Sequence, residues 1–150
     1  MKKSTILLVV AVYIVSFLIV GFFGIQARGY FKDVYVEDIK LICPEQTVKV
    51  EDMGVQKDDS TGEEYYFFKT KYQSNEGQGI KVVFKAEVYP LETSFKAINV
   101  IYDDGQSAYS ATIVDDYYIH LQINKKAMCR FSVESTDGKK FQKEVRVAAL

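Results

Sequence analysis

A long uncharged segment near the N-terminus constrains this chain more than any other feature. The segment follows Lys2 and Lys3, runs from Ser4 to Ala27, and consists mostly of Ile, Leu, Val, Phe, Ala and Gly. About 20 helical residues, at roughly 1.5 Å each, cross a hydrocarbon core of roughly 30 Å. The sequence therefore predicts one transmembrane α-helix over residues 4–27, in direct contact with the lipid bilayer.

A cleaved signal peptide is the alternative to an uncleaved signal anchor. The apolar part of a signal peptide usually extends over about 7–15 residues and ends in a small-x-small cleavage site. Here the run is longer, and Phe22 and Phe23 stand where small residues are required. Ile25 makes cleavage after Ala27 a poor match. We therefore expect an anchor, and a secreted domain is the weaker alternative.

The charges that flank the segment predict its orientation. Lysines next to a span favour the cytoplasmic side, so residues 1–3 are expected to form a cytoplasmic tail. Residues 28–33 then form a short linker, and residues 34–150 form a domain outside the cytoplasm. The predicted localisation is the cell membrane, with a single span.

Alternation of apolar and polar residues dominates the rest of the chain and predicts strands rather than helices. The longest series is Ile80, Val82, Phe84, Ala86 and Val88. The other series are Ile39, Leu41 and Cys43; Tyr117, Ile119, Leu121 and Ile123; Ala127, Cys129, Phe131 and Val133; and Phe141, Val145 and Val147. About seven strands, each with one apolar face, predict an all-β, antiparallel two-sheet sandwich.

Turn-forming residues separate these series. They occur at Asn75–Gly79, Asp103–Gly105, Asn124–Lys126 and Asp137–Lys140. Asp and Asn tolerate the left-handed backbone conformation, and their side chains form hydrogen bonds with the backbone of a turn. Gly adopts positive φ freely. The Asp137-Gly138 pair, between two alternating series, is the clearest hairpin signal in the chain.

Four short stretches resemble one protein family. Lys85–Thr93 is similar to the x-A-x-V-x-P-x-x-[AT] element of the group 2 bacterial immunoglobulin-like (Ig-like) domains, the invasin/intimin type. Cys129–Lys139 and Val145–Val147 resemble the last hairpin of that family, and Val36–Leu41 resembles its first strand. The resemblance implies an Ig-like sandwich that serves as a surface-exposed adhesion or spacer module, with no catalytic residues.

The chain departs from the family pattern at two places. The usual Trp of the third strand is missing, and Ile98, Val100 or Tyr102 stands nearby instead. Asp52–Tyr72 is an additional segment between the first and second expected strands. We expect this segment to form an extra hairpin near residues 52–72.

Cys43 and Cys129 are the two cysteines, and both fall on predicted inward-facing positions. A disulfide between opposite sheets is one interpretation, since the space outside the cytoplasm permits oxidation, provided that the Cα atoms approach within about 7 Å. Two buried free thiols that act as small apolar groups are the alternative.

Tyr65, Tyr66, Phe67 and Phe68 form the candidate interaction surface. A strand directs successive side chains to opposite faces, so one aromatic pair is expected in the core and the other outside it. Exposed aromatic groups often mark interfaces. The alternative is that both pairs are buried within the domain.

Other polar groups are interpreted more simply. His120 is the only histidine and is expected to be a solvated surface residue rather than a metal ligand, because such sites need several ligands. The acidic segment Asp58–Glu64 has the oxygen ligands that calcium prefers, but a solvated hairpin tip is favoured. Asp103–Asp104 and Asp115–Asp116 are interpreted as turns at strand ends.

These observations predict a non-catalytic role. The sequence lacks nucleophile, phosphate-loop and paired-cysteine motifs, so we expect neither an enzyme nor a cofactor. Without Lys2 and Lys3 the formal net charge falls from −1 to −3, and no basic patch points to nucleic acid. We expect a membrane-anchored binding or assembly module of a bacterial cell envelope, with an envelope or membrane protein as its partner. A surface adhesin or glycan-binding module is the alternative.

Overall fold

The computed structural model describes residues 3–30, 33–73, 77–102 and 107–150. It divides into two compact units, residues 1–33 and residues 34–150. The predicted turn at Asp103–Gly105, with its acidic pair, lies outside the described residues, as do Asn75 and Glu76 of another predicted turn.

The first unit is the helix α1, Lys3–Tyr30. Its segment Lys3–Phe23, with a mean hydropathy of 3.0, is long and apolar enough to cross a membrane, although a signal sequence would meet the same criterion. The predicted apolar helix is therefore present. It continues three residues beyond the predicted end at Ala27, since the end of an apolar run is not by itself a signal that ends a helix.

Nine strands lie in the described part of the second unit. They are β1 (Asp38–Ile42), β2 (Val50–Lys57), β3 (Glu64–Thr70), β4 (Ile80–Tyr89), β5 (Ile98–Tyr102), β6 (Tyr109–Val114), β7 (Tyr118–Ile123), β8 (Ala127–Ser135) and β9 (Gln142–Ala149).

The strands form two sheets whose order defines the fold. One sheet has the order β1-β4-β7-β6, and the other has the order β2-β3-β9-β8-β5. Without the β2–β3 hairpin, this arrangement is the seven-strand order of an Ig-like sandwich, with four strands in one sheet and three in the other. The predicted all-β, Ig-like two-sheet fold is confirmed.

The β2–β3 hairpin, from the additional segment near residues 52–72, extends the second sheet. Its strand β3 runs parallel to β9, with Phe67 opposite Arg146. A purely antiparallel sandwich was therefore too simple an expectation. The chain crosses to the second sheet before β2, and the hairpin then places β3 beside the last strand in the same direction.

The core lies between the sheets and follows the alternation in the sequence. All five members of the longest series, Ile80 to Val88, are buried on β4. Phe84 packs at 4.8 Å, between ring centroids, from Phe68 of the opposite sheet. Tyr117 was expected to face inward but is 40% exposed. It lies in the turn before β7, where Asp115 and Asp116 adopt positive φ, so the alternation of β7 does not extend to it.

The predicted hairpin at Asp137-Gly138 joins β8 to β9, although its loop is longer than two residues. Asp137 is buried, with 2% of its surface exposed. Its carboxylate accepts hydrogen bonds from the backbone N–H of Val36, at 2.7 Å, and from the hydroxyl of Ser135, at 2.6 Å. These bonds connect the start of the domain to its last hairpin and satisfy a buried charge that would otherwise be costly.

Gly79, just before β4, is required by its conformation and its surroundings. Its φ is +70°, and a Cβ atom at this position would meet the carbonyl oxygen of Ile123. We expect Gly79→Ala to lower the free energy of unfolding by at least about 2 kcal/mol, because both positive φ and backbone contact disfavour a side chain.

The matched control is Gly138→Ala, since a Cβ there has nothing within 4 Å. This change should alter stability by less than about 0.5 kcal/mol. Denaturant unfolding of the full chain in mild detergent compares the two variants, and equal effects would contradict the packing argument.

Candidate functional site

The four aromatic residues of β3 are divided between the two faces of the second sheet. Phe68 is fully buried. Tyr66, on the same inner side, packs against the core and donates a hydrogen bond from its hydroxyl to the carbonyl oxygen of Ile39, at 3.2 Å. Lys143 lies 4.7 Å from the Tyr66 ring centroid and 3.6 Å from the carboxylate of Asp38. The inner pair therefore joins the two sheets.

The outer pair, Tyr65 and Phe67, is half-buried and ordered by contacts on its own face. The two rings meet edge to face, with centroids 6.3 Å apart. The guanidinium carbon of Arg146 lies 3.8 Å from the Tyr65 ring centroid, and Nζ of Lys69 lies 5.5 Å from that of Phe67. We call the surface formed by Tyr65, Phe67 and Arg146 the aromatic face. It is neither fully buried nor a bare apolar patch.

Arg146 is held in place by two carboxylates. Its Nε donates to Glu144 at 2.8 Å, and its Nη2 donates to Asp58 at 2.6 Å. The side chain is only 14% exposed, so water screens these contacts less than it would on an open surface. The hydrogen bond to Glu144 and the contact with Asp58 raise the pKa of Arg146 above its ordinary value. The guanidinium is therefore fixed over Tyr65 as a permanent charge.

Asp58 joins the hairpin tip to this arrangement. Its Oδ1 accepts hydrogen bonds from the backbone N–H and hydroxyl of Ser60, at 2.9 and 2.5 Å, while its Oδ2 contacts Arg146. The hydrogen bonds from Ser60, then that from Arg146, lower the pKa of Asp58 below its ordinary value. In the described residues, no group of three or more His, Cys, Asp or Glu is placed to hold a metal ion.

Two exposed apolar side chains lie on neighbouring strands of the same sheet. Met128 is 45% exposed on β8, and Ile101 is 48% exposed on β5. The registers place Met128 opposite Ala148 and Ile101 opposite Ser132. This mixture of aromatic, cationic and apolar groups can bury area against a partner.

Both cysteines are free thiols in this structure. Cys43 follows β1, and its Sγ accepts a hydrogen bond from Nε2 of Gln46 at 2.7 Å. Cys129 is fully buried on β8. Burial raises the pKa of Cys129 to about 12 and also raises the pKa of Cys43. Cys129 therefore matches the buried free thiol of the second alternative drawn from the sequence, whereas Cys43 is only half-buried.

His120 lies half-buried on β7, opposite Val83 on one side and Thr112 on the other. Burial, and then the charge of Lys81, lower its pKa below the ordinary value. The imidazole is therefore neutral at physiological pH.

Sequence reasoning missed Arg146, Glu144 and Gln46. Glu144 and Arg146 are two residues apart on one strand, so alternation places them on the same face and could have shown the pair. The contact of Arg146 with Asp58 spans 88 residues, and no local pattern indicates it.

Comparison with known proteins adds little to this geometry. No family model matches the chain, and no curated protein sequence matches it. A solved structure of a chimeric titin Z1Z2, functionalized with an exogenous KLER peptide from decorin, is similar over 70% of this chain and 98% of its own. The identity is 10% and the TM-score is 0.33. The strand order defines the class: an Ig-like β-sandwich that follows an N-terminal apolar helix.

The state of the cysteines is tested by alkylation without a reductant. We expect iodoacetamide to modify both cysteines after unfolding, and Cys129 more slowly than Cys43 in the folded chain, because only an exposed thiolate reacts readily. Intact-mass measurement counts the added groups. No modification before reduction would instead show that Cys43 and Cys129 are bridged.

The Asp58 contacts predict a pH dependence of stability. The pKa of Asp58 is lower in the folded chain than in the unfolded chain, so its contribution is complete above about pH 5 and lost as the pH falls. We expect the free energy of unfolding to decrease less steeply between about pH 6 and pH 3 in Asp58→Asn than in the unchanged protein. An equally reduced slope in Asp59→Asn, at the exposed neighbouring carboxylate, would contradict the assignment.

Proposed function

We propose that this protein is a non-catalytic binding and assembly module of a bacterial cell envelope. In this proposal α1 is an uncleaved anchor in the cell membrane, and the Ig-like domain lies outside the cytoplasm. The orientation is supported by Lys2 and Lys3, which favour a cytoplasmic N-terminus. The aromatic face is the contact surface for a partner protein of the envelope or the membrane.

The arrangement of Arg146 over Tyr65 is the observation that carries this proposal. Tyr and Arg are enriched among the residues that dominate binding energies in protein interfaces. Here Asp58 and Glu144 hold Arg146 before any partner arrives, so less side-chain freedom is lost on binding. A surface with a preordered Arg and Tyr therefore suits the binding of a partner protein.

The same geometry favours a protein over a glycan. A sugar ring stacks on the open face of an aromatic side chain, but Arg146 covers one face of Tyr65 at 3.8 Å. Phe67 meets the Tyr65 ring edge to face and does not extend a flat platform. A surface adhesin or glycan-binding module is therefore the second candidate, behind a module that binds a protein.

We also propose that the domain is related to the group 2 bacterial Ig-like domains. The stretch Lys85–Thr93 supports this relation, because three residues at the motif positions are buried in this domain. Ala86 and Val88 are buried on β4. Thr93 is buried as well, and its hydroxyl donates to the carbonyl oxygen of Val34 at 2.8 Å. The short motif thus joins the start of the domain to the end of β4.

Site-specific crosslinking in cells tests the proposed function. A photoreactive benzophenone amino acid replaces Phe67 in the full-length, C-terminally tagged protein, and in a second strain it replaces Val114. Val114 is a matched control because it is 36% exposed and lies on β6 of the other sheet. We expect a discrete envelope or membrane protein to be captured from position 67 and not from position 114.

Substitution then tests the energetic role of the face. Tyr65→Ser, with the photoreactive residue kept at position 67, should weaken this capture by roughly 30-fold, the effect of losing about 2 kcal/mol. Val114→Ser should leave it unchanged, and thermal unfolding checks that each variant is folded. Equal capture from positions 67 and 114, or undiminished capture by the folded Tyr65→Ser variant, would contradict the assignment of this face.

A further inference from the structure

An open groove of about 800 Å³ lies beside the first half of β4. Three segments line it: residues 46–49, which lead from β1 to β2; Lys71 and Gln73, which follow β3; and residues between Gln78 and Val83. We call it the β4 groove. It lies at the end of β4 opposite to the entry of the chain into the domain, and it is separate from the aromatic face.

The backbone of β4 faces this groove without a neighbouring strand among those described. β7 pairs with β4 over Ile80–Lys85, but on the other side β1 pairs with β4 only over Lys85–Tyr89. The stretch from Ile80 to Val83 therefore has β7 on one side and the groove on the other. Such an uncovered strand edge presents hydrogen-bonding groups that an added strand can use.

Gln46 already occupies part of this edge. Its Nε2 donates to the carbonyl oxygen of Val83 at 3.1 Å, and its Oε1 accepts from the N–H of Val83 at 2.8 Å. The side-chain amide thus makes the two bonds that a peptide group of a neighbouring strand would make. Backbone groups alternate in direction along a strand, so the N–H and C=O of Lys81 point into the groove as those of Val83 do.

The charge of the groove has one sign among its described lining residues. Lys49, Lys71 and Lys81 are exposed there, and no Asp or Glu lines it. Lys49 also makes a loose contact with the exposed Glu51, at 3.8 Å. Lys81 belongs to β4 of the first sheet, and Lys71 follows β3 of the second sheet, so the groove takes its cations from two separate segments. An occupant with negative charge would be attracted and guided into this site.

We propose that the β4 groove binds an extended acidic segment of another polypeptide as an added strand. The segment pairs its backbone with Lys81, and its carboxylates lie beside Lys49, Lys71 and Lys81. Main-chain bonds supply affinity in such strand addition, and side chains at alternate positions supply selectivity. This inference does not depend on the aromatic face, and either proposal can fail without the other.

Fluorescence anisotropy with a defined probe tests the groove. The probe is a labelled seven-residue peptide in which Glu alternates with Val and Thr, titrated with the full-length protein in uncharged detergent. One comparison peptide carries Gln in place of every Glu, and another carries N-methyl groups on alternate backbone amides. We expect saturable binding of the probe and at least 10-fold weaker binding of both comparison peptides.

Charge-reversal variants place the binding in the groove. Lys71→Glu with Lys81→Glu should weaken binding of the probe at least 10-fold. Lys71→Gln with Lys81→Gln should also weaken binding, but by less, because it removes the charges without reversing them. The matched control is Lys96→Glu with Lys140→Glu, since these lysines are also exposed but do not line the groove. The control should bind within 2-fold of the unchanged protein, and thermal unfolding verifies every variant.

Three results would overturn the proposal. The first is the absence of saturation with the acidic probe. The second is an equal loss in the control variant, which would show attraction to the general surface. The third is full binding of the N-methylated peptide, because recognition would then depend on charge without strand pairing, as expected for an anionic glycan.

Discussion

The sandwich depends on the packing of Phe84, on β4, against the opposite sheet. The ring of Phe84 contacts aromatic side chains from two strands of that sheet. It packs 4.8 Å from Phe68 of β3 and 6.3 Å from Phe131 of β8, measured between ring centroids. All three side chains are buried, with exposures of 0 to 2%. Large aromatic groups contribute much of the area that a core removes from water. The contact with Phe68 also packs β3 against the first sheet. The three phenylalanines therefore also hold the hairpin that carries the aromatic face.

The aromatic face and the β4 groove both result from the addition of the β2–β3 hairpin to the second sheet. On its outer side β3 lies next to β9, where Arg146 faces Tyr65 and Phe67. To reach the hairpin, the chain must leave the first sheet after β1, which ends at Ile42. The departure of the chain uncovers the first half of β4 and places Gln46 against it. One extra hairpin thus accounts for the aromatic face on the second sheet and for an edge of β4 that no other described strand pairs with.

Alternation predicted the strands that bury one face along their whole length, and β4, β7 and β8 follow it closely. Alternation of apolar and polar residues could not define β2, Val50–Lys57, because this edge strand is mostly exposed and has no buried apolar face. It also placed Tyr117 inside the core, since a local pattern does not show where a turn with positive φ ends the strand. For the candidate site, the composition of Tyr65–Phe68 predicted one buried pair and one outer pair as one of two outcomes, but not the cations that cover the outer pair.

The sequence by itself determined the apolar helix, the strand faces and the hairpin at Asp137, because these depend on neighbouring residues and their spacing. The tertiary structure alone decided that β3 pairs in parallel with β9, that Arg146 reaches Asp58 across 88 residues, and that Gln46 replaces a strand beside Val83. The physical reason is that periodicity reports which side of a strand faces the core, whereas pairing depends on which strands meet after the core has formed. Both proposed binding surfaces depend on pairing, and so they become visible only in the folded chain.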